Sequence, residues 1–138
     1  MKLLHHELTE VIIKTFYEVY NELGYGFLER VYQNALYLEL KNKGLYVEAQ
    51  KKIMVYYKGI KVGEYYADLL IDDVIILELK ACECLMDAHK AQLINYLKAT
   101  NIEVGLLLNS LMTTTQNGVE NFEDFPNMLP FLRKTKLF

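Results

Sequence analysis

The most constraining feature of this chain is the run Val74-Ile75-Ile76-Leu77-Glu78-Leu79-Lys80, four aliphatic residues followed by a carboxylate, a leucine and an ammonium. A continuous aliphatic run of this length reads as a strand covered on both faces. Side chains alternate along a strand, so Glu78 and Lys80 share one face while Leu77 and Leu79 share the other. Charges at the end of so apolar a strand are costly unless they are paired, hydrated or bound to something. A strand-end ion pair meets that requirement, and so does a bound ligand.

Asp68, on the preceding strand-like segment, decides between these readings through register. If Asp72-Asp73 is a two-residue turn, Asp68 falls opposite Leu77, on the wrong face to meet Glu78. A loop of three residues restores convergence. With 72–74 looped out Asp68 lies directly opposite Glu78, and with 71–73 looped out it lies on the diagonal. The pattern therefore predicts an odd loop. Two carboxylates on adjacent strands beside a lysine suit a hard divalent cation such as Mg²⁺. Such an ion would relieve their repulsion and lower the pKa of a bound water.

Around this centre the periodicity predicts helices from about residue 7 to Gly24, from Gly26 or Phe27 to Gly44, and over 87–100. Strands are predicted over 46–51, 53–57, 60–71, 74–80 and 104–109, with Lys58-Gly59 as a turn. The order implies an α/β layer architecture with helices covering a mixed sheet. Residues 110–138 hold both prolines, the 113–115 threonine run and Asn117-Gly118, and read as an irregular, partly docked tail behind a domain over 1–109.

Charge is unevenly spread. Residues 41–61 carry six lysines against one acid, a local +5, so a total of −3 leaves −8 for the remainder. Either a phosphate-facing strip or a solvated hairpin edge accounts for it. The apolar runs fall well short of the ~18 residues of a membrane span. The start turns polar too soon for a secretory signal. Cys82 and Cys84 stand too close together to pin a loop, which points to a reducing, cytoplasmic setting. With His89 they supply three soft ligands, where a structural zinc site wants four.

Gly26-Phe27-Leu28-Glu29-Arg30-Val31-Tyr32 resembles the motif that names the GxxExxY protein family. The pattern continues in order through Ala67-Asp68, Glu78-Leu79-Lys80, Gln92-x₃-Tyr96 and Gly105-Leu106-Leu107-Leu108-Asn109. That family is placed in the PD-(D/E)XK nuclease-like superfamily, with a restriction-endonuclease-like αβββαβ core. The Gln-x₃-Tyr helix is similar to that of helicase-associated nucleases in the same superfamily. The resemblance stops after Asn109, where relatives continue into an Asn-Phe-Gly-like turn and a basic strand.

The resemblance implies that Asp68, Glu78 and Glu29 bind Mg²⁺, or Mn²⁺ in its place, with the Leu79 carbonyl as a further ligand. It makes Lys80 the catalytic lysine and Gln92, Tyr96 and Tyr32 supporting residues. It implies hydrolysis of phosphodiester bonds in DNA, or RNA, by metal-activated water. Lys51, Lys52, Lys58 and Lys61 then become candidates to meet nucleic-acid phosphates. A rival reading is an inactive nuclease-like module that binds nucleic acid, a protein partner or a second copy of itself.

Overall fold

The computed structural model describes residues 5–24, 26–82, 86–110 and 128–132. Cys84, the opening residues, the threonine run and the chain end, which figure in the sequence reading, lie outside them. The order of elements is α1 (His6–Leu23), α2 (Glu29–Asn42), β1 (Val47–Tyr57), β2 (Ile60–Ile71), β3 (Ile75–Lys80), α3 (Asp87–Lys98), β4 (Val104–Asn109) and β5 (Met128–Leu132). One five-stranded sheet runs β1-β2-β3-β4-β5. All neighbours are antiparallel except β3 and β4, which are parallel and joined through α3. Parallel neighbours need such a crossover.

The sheet carries a core on each face. On one side Ile12, Phe16 and Val19 of α1 and Tyr32, Leu36 and Leu40 of α2 meet Leu77 and Leu79 of β3 and Leu106 and Leu108 of β4. On the other, Leu93, Tyr96 and Leu97 of α3 meet Ile76 and Leu107. The fold is thus a three-layer α/β/α sandwich, with β3 and β4 apolar on both faces because both are covered. A Cβ added at Gly105 would lie 2.8 to 3.1 Å from three atoms of Leu93, so the glycine sets how closely α3 approaches β4.

Three outcomes differ from the sequence reading. The first part of the hairpin is one strand, β1, where a break near Lys52 was expected; its backbone is left-handed at Gln50, with φ of 52°, and its register with β2 shifts between Val55 and Tyr56. Helix α2 begins at Glu29, not at Gly26 or Phe27. Gly26 has φ of 106°, a conformation that side chains with a Cβ rarely adopt, and it stays outside the helix as part of the entry turn. Within the segment expected to be irregular, Met128–Leu132 adds a regular edge strand to β4. Pro130 has no amide hydrogen to give, which an outer strand tolerates.

Replacing Gly105 by alanine is expected to destabilise the protein by about 1–3 kcal/mol in chemical denaturation, because Leu93 is fully buried and has little room to yield. Combining it with Leu93→Ala should cost less than the sum of the two single changes.

Candidate active site

The loop between β2 and β3 is Asp72-Asp73-Val74, since Ile71 pairs with Ile75. Its odd length, one of the two forms expected, comes from two successive aspartates in the left-handed region, φ of 51° and 57°. Aspartate tolerates that region better than most residues. The Asp72 N–H donates to the Tyr46 carbonyl at 2.7 Å, and its carboxylate accepts the Tyr46 N–H at 2.9 Å. The loop is thereby tied to the entry of β1.

This register brings Asp68 beside Glu78, at the point where β2 and β3 part. The ladder between them runs from Ile71↔Ile75 to Leu69↔Leu77. Beyond it, side chains replace main-chain acceptors: the Asp68 N–H donates to Glu78 Oε1 at 3.0 Å, and the Leu79 N–H donates to Asp68 Oδ2 at 2.8 Å. Each carboxylate satisfies an amide of the opposing strand, so both are drawn into the seam. Glu78 is only 4% exposed. Burial, then the neighbouring Asp68 carboxylate, pushes its pKa up to about 8. Asp68 is raised as well, chiefly by burial.

Lys80, two residues on, is held on the α3 side. Its ammonium donates to Gln92 Oε1 at 3.3 Å, and Gln92 Nε2 donates to the Tyr96 hydroxyl at 2.9 Å. Burial raises the Tyr96 hydroxyl to about 12, so it stays protonated. Gln92 thus links the Lys80 ammonium to the Tyr96 hydroxyl one turn further along α3. The stretch after Lys80 is fixed from two directions. Asn109 accepts the Cys82 N–H at 3.2 Å and donates to its carbonyl at 2.7 Å. The Ser110 N–H and hydroxyl both donate to the Lys80 carbonyl, at 2.7 and 3.1 Å.

Glu29 approaches from the first turn of α2. Its Oε1 accepts the Ala81 N–H at 3.2 Å, and it lines with Asp68 and Arg30 a pocket of about 520 Å³. It thus borders the pair rather than closing a ring with it. Among the described residues no three His, Cys, Asp or Glu side chains are grouped closely enough to hold a metal ion by themselves. The donor set still suits a hard dication, because Mg²⁺ is commonly held by one or two carboxylates plus waters and substrate phosphates. Two buried carboxylates side by side make a site that takes up either a proton or a cation.

Tyr32 is not at the site. Its hydroxyl donates to the Gly24 carbonyl at 2.5 Å and accepts the Phe27 N–H at 3.4 Å, so it pins the α1–α2 connection from inside the core. Part of the lysine strip is paired within its own hairpin. Lys51 pairs with Glu48 at 2.9 Å, and Lys52 and Lys61 share Glu64 at 3.0 and 3.4 Å. Lys58 lies 5.3 Å from the centre of the Tyr57 ring. His89 Nδ1 accepts the Met86 N–H at 3.1 Å and closes the first turn of α3.

Two residues at the site escaped the sequence reading. Gln50 Nε2 donates to Gln33 Oε1 at 2.8 Å and reaches Asp68 Oδ1 at 3.5 Å. Gln33, one helical turn after Glu29, is buried and lines the same pocket. Its i+4 spacing from Glu29 is the one signal the sequence carried. Nothing in the alternation of β1 singles out Gln50.

A mixed sheet between helices, with an aspartate, a glutamate and a lysine gathered where its central strands part, defines a restriction-endonuclease-like α/β domain. The family model described as PD-(D/E)XK nuclease superfamily matches residues 6–122, and the chain belongs to that superfamily. The αβββαβ core expected from the resemblance is α2 through β4, to which α1 and β5 are additions. Nucleases of this superfamily generally use divalent metal ions. No curated protein and no solved structure matches the chain. No helix among the described residues is long and apolar enough to cross a membrane.

The raised Glu78 pKa means that the folded, metal-free protein holds a proton that the unfolded chain releases near pH 4.5. The associated stability is complete at and below pH 4.5 and is lost as pH rises through about 8. In chelator, the melting temperature should therefore fall between pH 5 and pH 8.5, and Glu78→Gln should flatten that fall. Added Mg²⁺ should raise the wild-type melting temperature at pH 8 far more than at pH 5.5.

Proposed function

We propose that this chain is a Mg²⁺-dependent nuclease of the GxxExxY branch, hydrolysing phosphodiester bonds in DNA in preference to RNA. The observation that carries the reading is the Asp68–Glu78 pair, buried in the seam between β2 and β3, with Lys80 at the end of the same strand. A Mg²⁺ or Mn²⁺ ion bound to the two carboxylates, with the Leu79 carbonyl beside them, would supply Lewis acidity toward the phosphate and lower the pKa of the attacking water.

The chain's own groups account for the rest. Asp68 and Glu78 are locked by main-chain N–H donors, so their orientation precedes any ligand. Lys80 is held by the neutral Gln92 amide rather than by a carboxylate. Its charge therefore remains available to the oxygens of a phosphate as negative charge builds during in-line attack. Glu29 and Gln33 shape the pocket on the α2 side, and Arg30 at its rim supplies a cation to an incoming phosphate. The spacing of Cys82 and Cys84, too close to pin a loop, supports a reducing, cytoplasmic setting. The domain responsible runs through Asn109, with β5 extending its sheet.

Purified protein incubated with linear, circular and single-stranded DNA and with RNA should cleave DNA in Mg²⁺ or Mn²⁺ and not in chelator. Lys80→Ala should lower the rate by about 100-fold or more, the usual cost of removing one group that stabilises developing charge. Asp68→Asn should abolish cleavage. Equal rates for wild type and Lys80→Ala would show that the cutting belongs to a contaminant. Salt-sensitive DNA binding without cleavage would identify an inactive binding module instead.

A further inference from the structure

The pocket of about 520 Å³ beside Asp68 is lined on its α2 side by hydrogen-bond donors whose orientation is set from the carboxylate outward. Asp68 Oδ2 accepts the Leu79 N–H, and Asp68 Oδ1 lies 3.5 Å from Gln50 Nε2. An ionised carboxylate only accepts hydrogen bonds, so Gln50 turns its nitrogen and not its oxygen toward it. The same nitrogen donates to Gln33 Oε1 at 2.8 Å. The Gln33 carbonyl is thereby used, and its Nε2 keeps its N–H donors. A reversed Gln33 would set one amide nitrogen against the other.

Gln33 is only 3% exposed, yet its Nε2 has no hydrogen-bond partner among the described residues. A buried donor left unsatisfied is costly and calls for an explanation. The side chain lines the pocket, so a molecule held there can satisfy it. Further donors border the same space. Arg30, one turn before Gln33 on α2, lines the pocket and has no ion pair among the described residues. Residues 26–30, which lead into α2, line it too, and no side chain of the N-cap residue closes the first turn of that 14-residue helix. A helix N-terminus favours an anion.

Other polar groups at the pocket are already engaged. Glu29 Oε1 takes the Ala81 N–H, and the Ser110 hydroxyl is given to the Lys80 carbonyl. The groups still open are an amide N–H₂ and a guanidinium, a pairing matched to an oxyanion with several acceptor oxygens. Asp68 lines the pocket, whereas Glu78 and Lys80 are not among its lining residues. An anion held here therefore lies beside the group that Lys80 meets, not in its place. We infer that this pocket is a subsite for a second phosphate of the nucleic-acid strand, held by the Gln33 amide and the Arg30 guanidinium, with Gln50 the positioning residue that turns the Gln33 amide outward. The inference rests on the nuclease reading for the strand and narrows the substrate to one that carries a phosphate next to the bond being cut. Two carboxylates, Glu29 and Asp68, border the same space, so the phosphate enters once a dication has neutralised the Asp68–Glu78 pair.

The test is fluorescence anisotropy on the full chain in saturating Ca²⁺, which replaces Mg²⁺ so that binding is read without cleavage. The probes are a short oligo-dT, the same strand with a 5′-phosphate, and the same strand with uncharged methylphosphonate linkages, all at one salt concentration. Gln33→Glu keeps an acceptor for Gln50 and puts a negative oxygen where the free donor stood. It should weaken binding of both phosphate-bearing strands, or of the 5′-phosphorylated one alone, by about tenfold or more, and Arg30→Ala by about tenfold, the usual weight of a charge-assisted hydrogen bond. The methylphosphonate strand should bind more weakly than either and be indifferent to both changes. A loss confined to the 5′-phosphorylated strand assigns the subsite to a terminal phosphate, and equal losses in both assign it to an internal one. Gln50→Leu should weaken binding by itself and add nothing to Gln33→Leu, because it acts through that amide; a purely structural role would make the two losses add. Melting temperatures near that of wild type would show that the variants are folded, and Arg30, which is exposed, can be changed without disturbing the core.

Unchanged affinity for the phosphate-bearing strands in both Gln33→Glu and Arg30→Ala would overturn the subsite, as would an equal loss for the methylphosphonate strand. Cleavage assays in Mg²⁺ separate this failure from that of the nuclease reading. Phosphate-dependent binding that requires Gln33 and Arg30, with no cleavage of any substrate, keeps the subsite and overturns hydrolysis. Cleavage by a wild type whose two variants bind as tightly as it does keeps hydrolysis and overturns the subsite.

Discussion

The site depends on an exchange of acceptors where β2 and β3 separate. Up to Leu69↔Leu77 the two strands satisfy each other through main-chain carbonyls; beyond it the Asp68 and Leu79 amides are satisfied by the opposing carboxylates. Leaving those amides unpaired would cost about 1–3 kcal/mol each in a buried setting. The acids therefore hold the seam closed, and they do so at the expense of their mutual repulsion. Burial, with that repulsion added to it, is why the pair retains a proton when no cation is present. Structure and reactivity come from the same two bonds.

The surroundings keep this seam at a fixed width. Strand β3 cannot drift, because its parallel ladder with β4 continues through Lys80↔Asn109 after its ladder with β2 has ended. Asn109 then extends the pairing by one side chain onto Cys82, and Ser110 fixes the Lys80 carbonyl. Glu29 braces Ala81 from α2. Lys80 is left with an amide partner, a choice with a consequence. A direct ion pair between Lys80 and either acid would partly neutralise both groups and compete with any ligand. Holding the ammonium on Gln92 keeps the cation near the carboxylates without consuming it.

Much of this was legible in the sequence, and the part that was not has a common cause. The face shared by Glu78 and Lys80 follows from a period of two, the odd loop from requiring the two acids to meet on one face, and the Gln92–Tyr96 turn from a motif at helical spacing. What regular alternation cannot foretell is a residue that breaks it. Gln50 was invisible because its role depends on a left-handed backbone inside a strand. Part of the lysine strip's charge is offset by Glu64, which lies just beyond the window in which the charge was counted. Tyr32 belonged to a motif, but the motif fixes a helix junction at that position rather than a reacting group. Strand β5 was hidden by Pro130, which argues against a strand in general and only weakly against an edge.

The break at Gln50 explains how one hairpin serves both faces of the sheet. Val47 packs with the α1–α2 core, whereas Ile53, six residues later and of the same parity, packs with the α3 core. On β2, Leu69 and Ile71 face the first core and Ala67 the second, so that strand's alternation also slips beside Asp68. A left-handed residue with a side chain costs of order 1 kcal/mol. In return the outer half of the hairpin is turned toward α3, Ile53 and Ala67 are buried there, and Tyr65 reaches Tyr96. The same turn aims the Gln50 amide at Asp68 and Gln33. With unbroken alternation Ile53 would point away from α3, and Tyr65 would lose its contact with Tyr96. The irregular residue is therefore where the carboxylate seam and the hairpin's contact with α3 are both set by a single change of backbone.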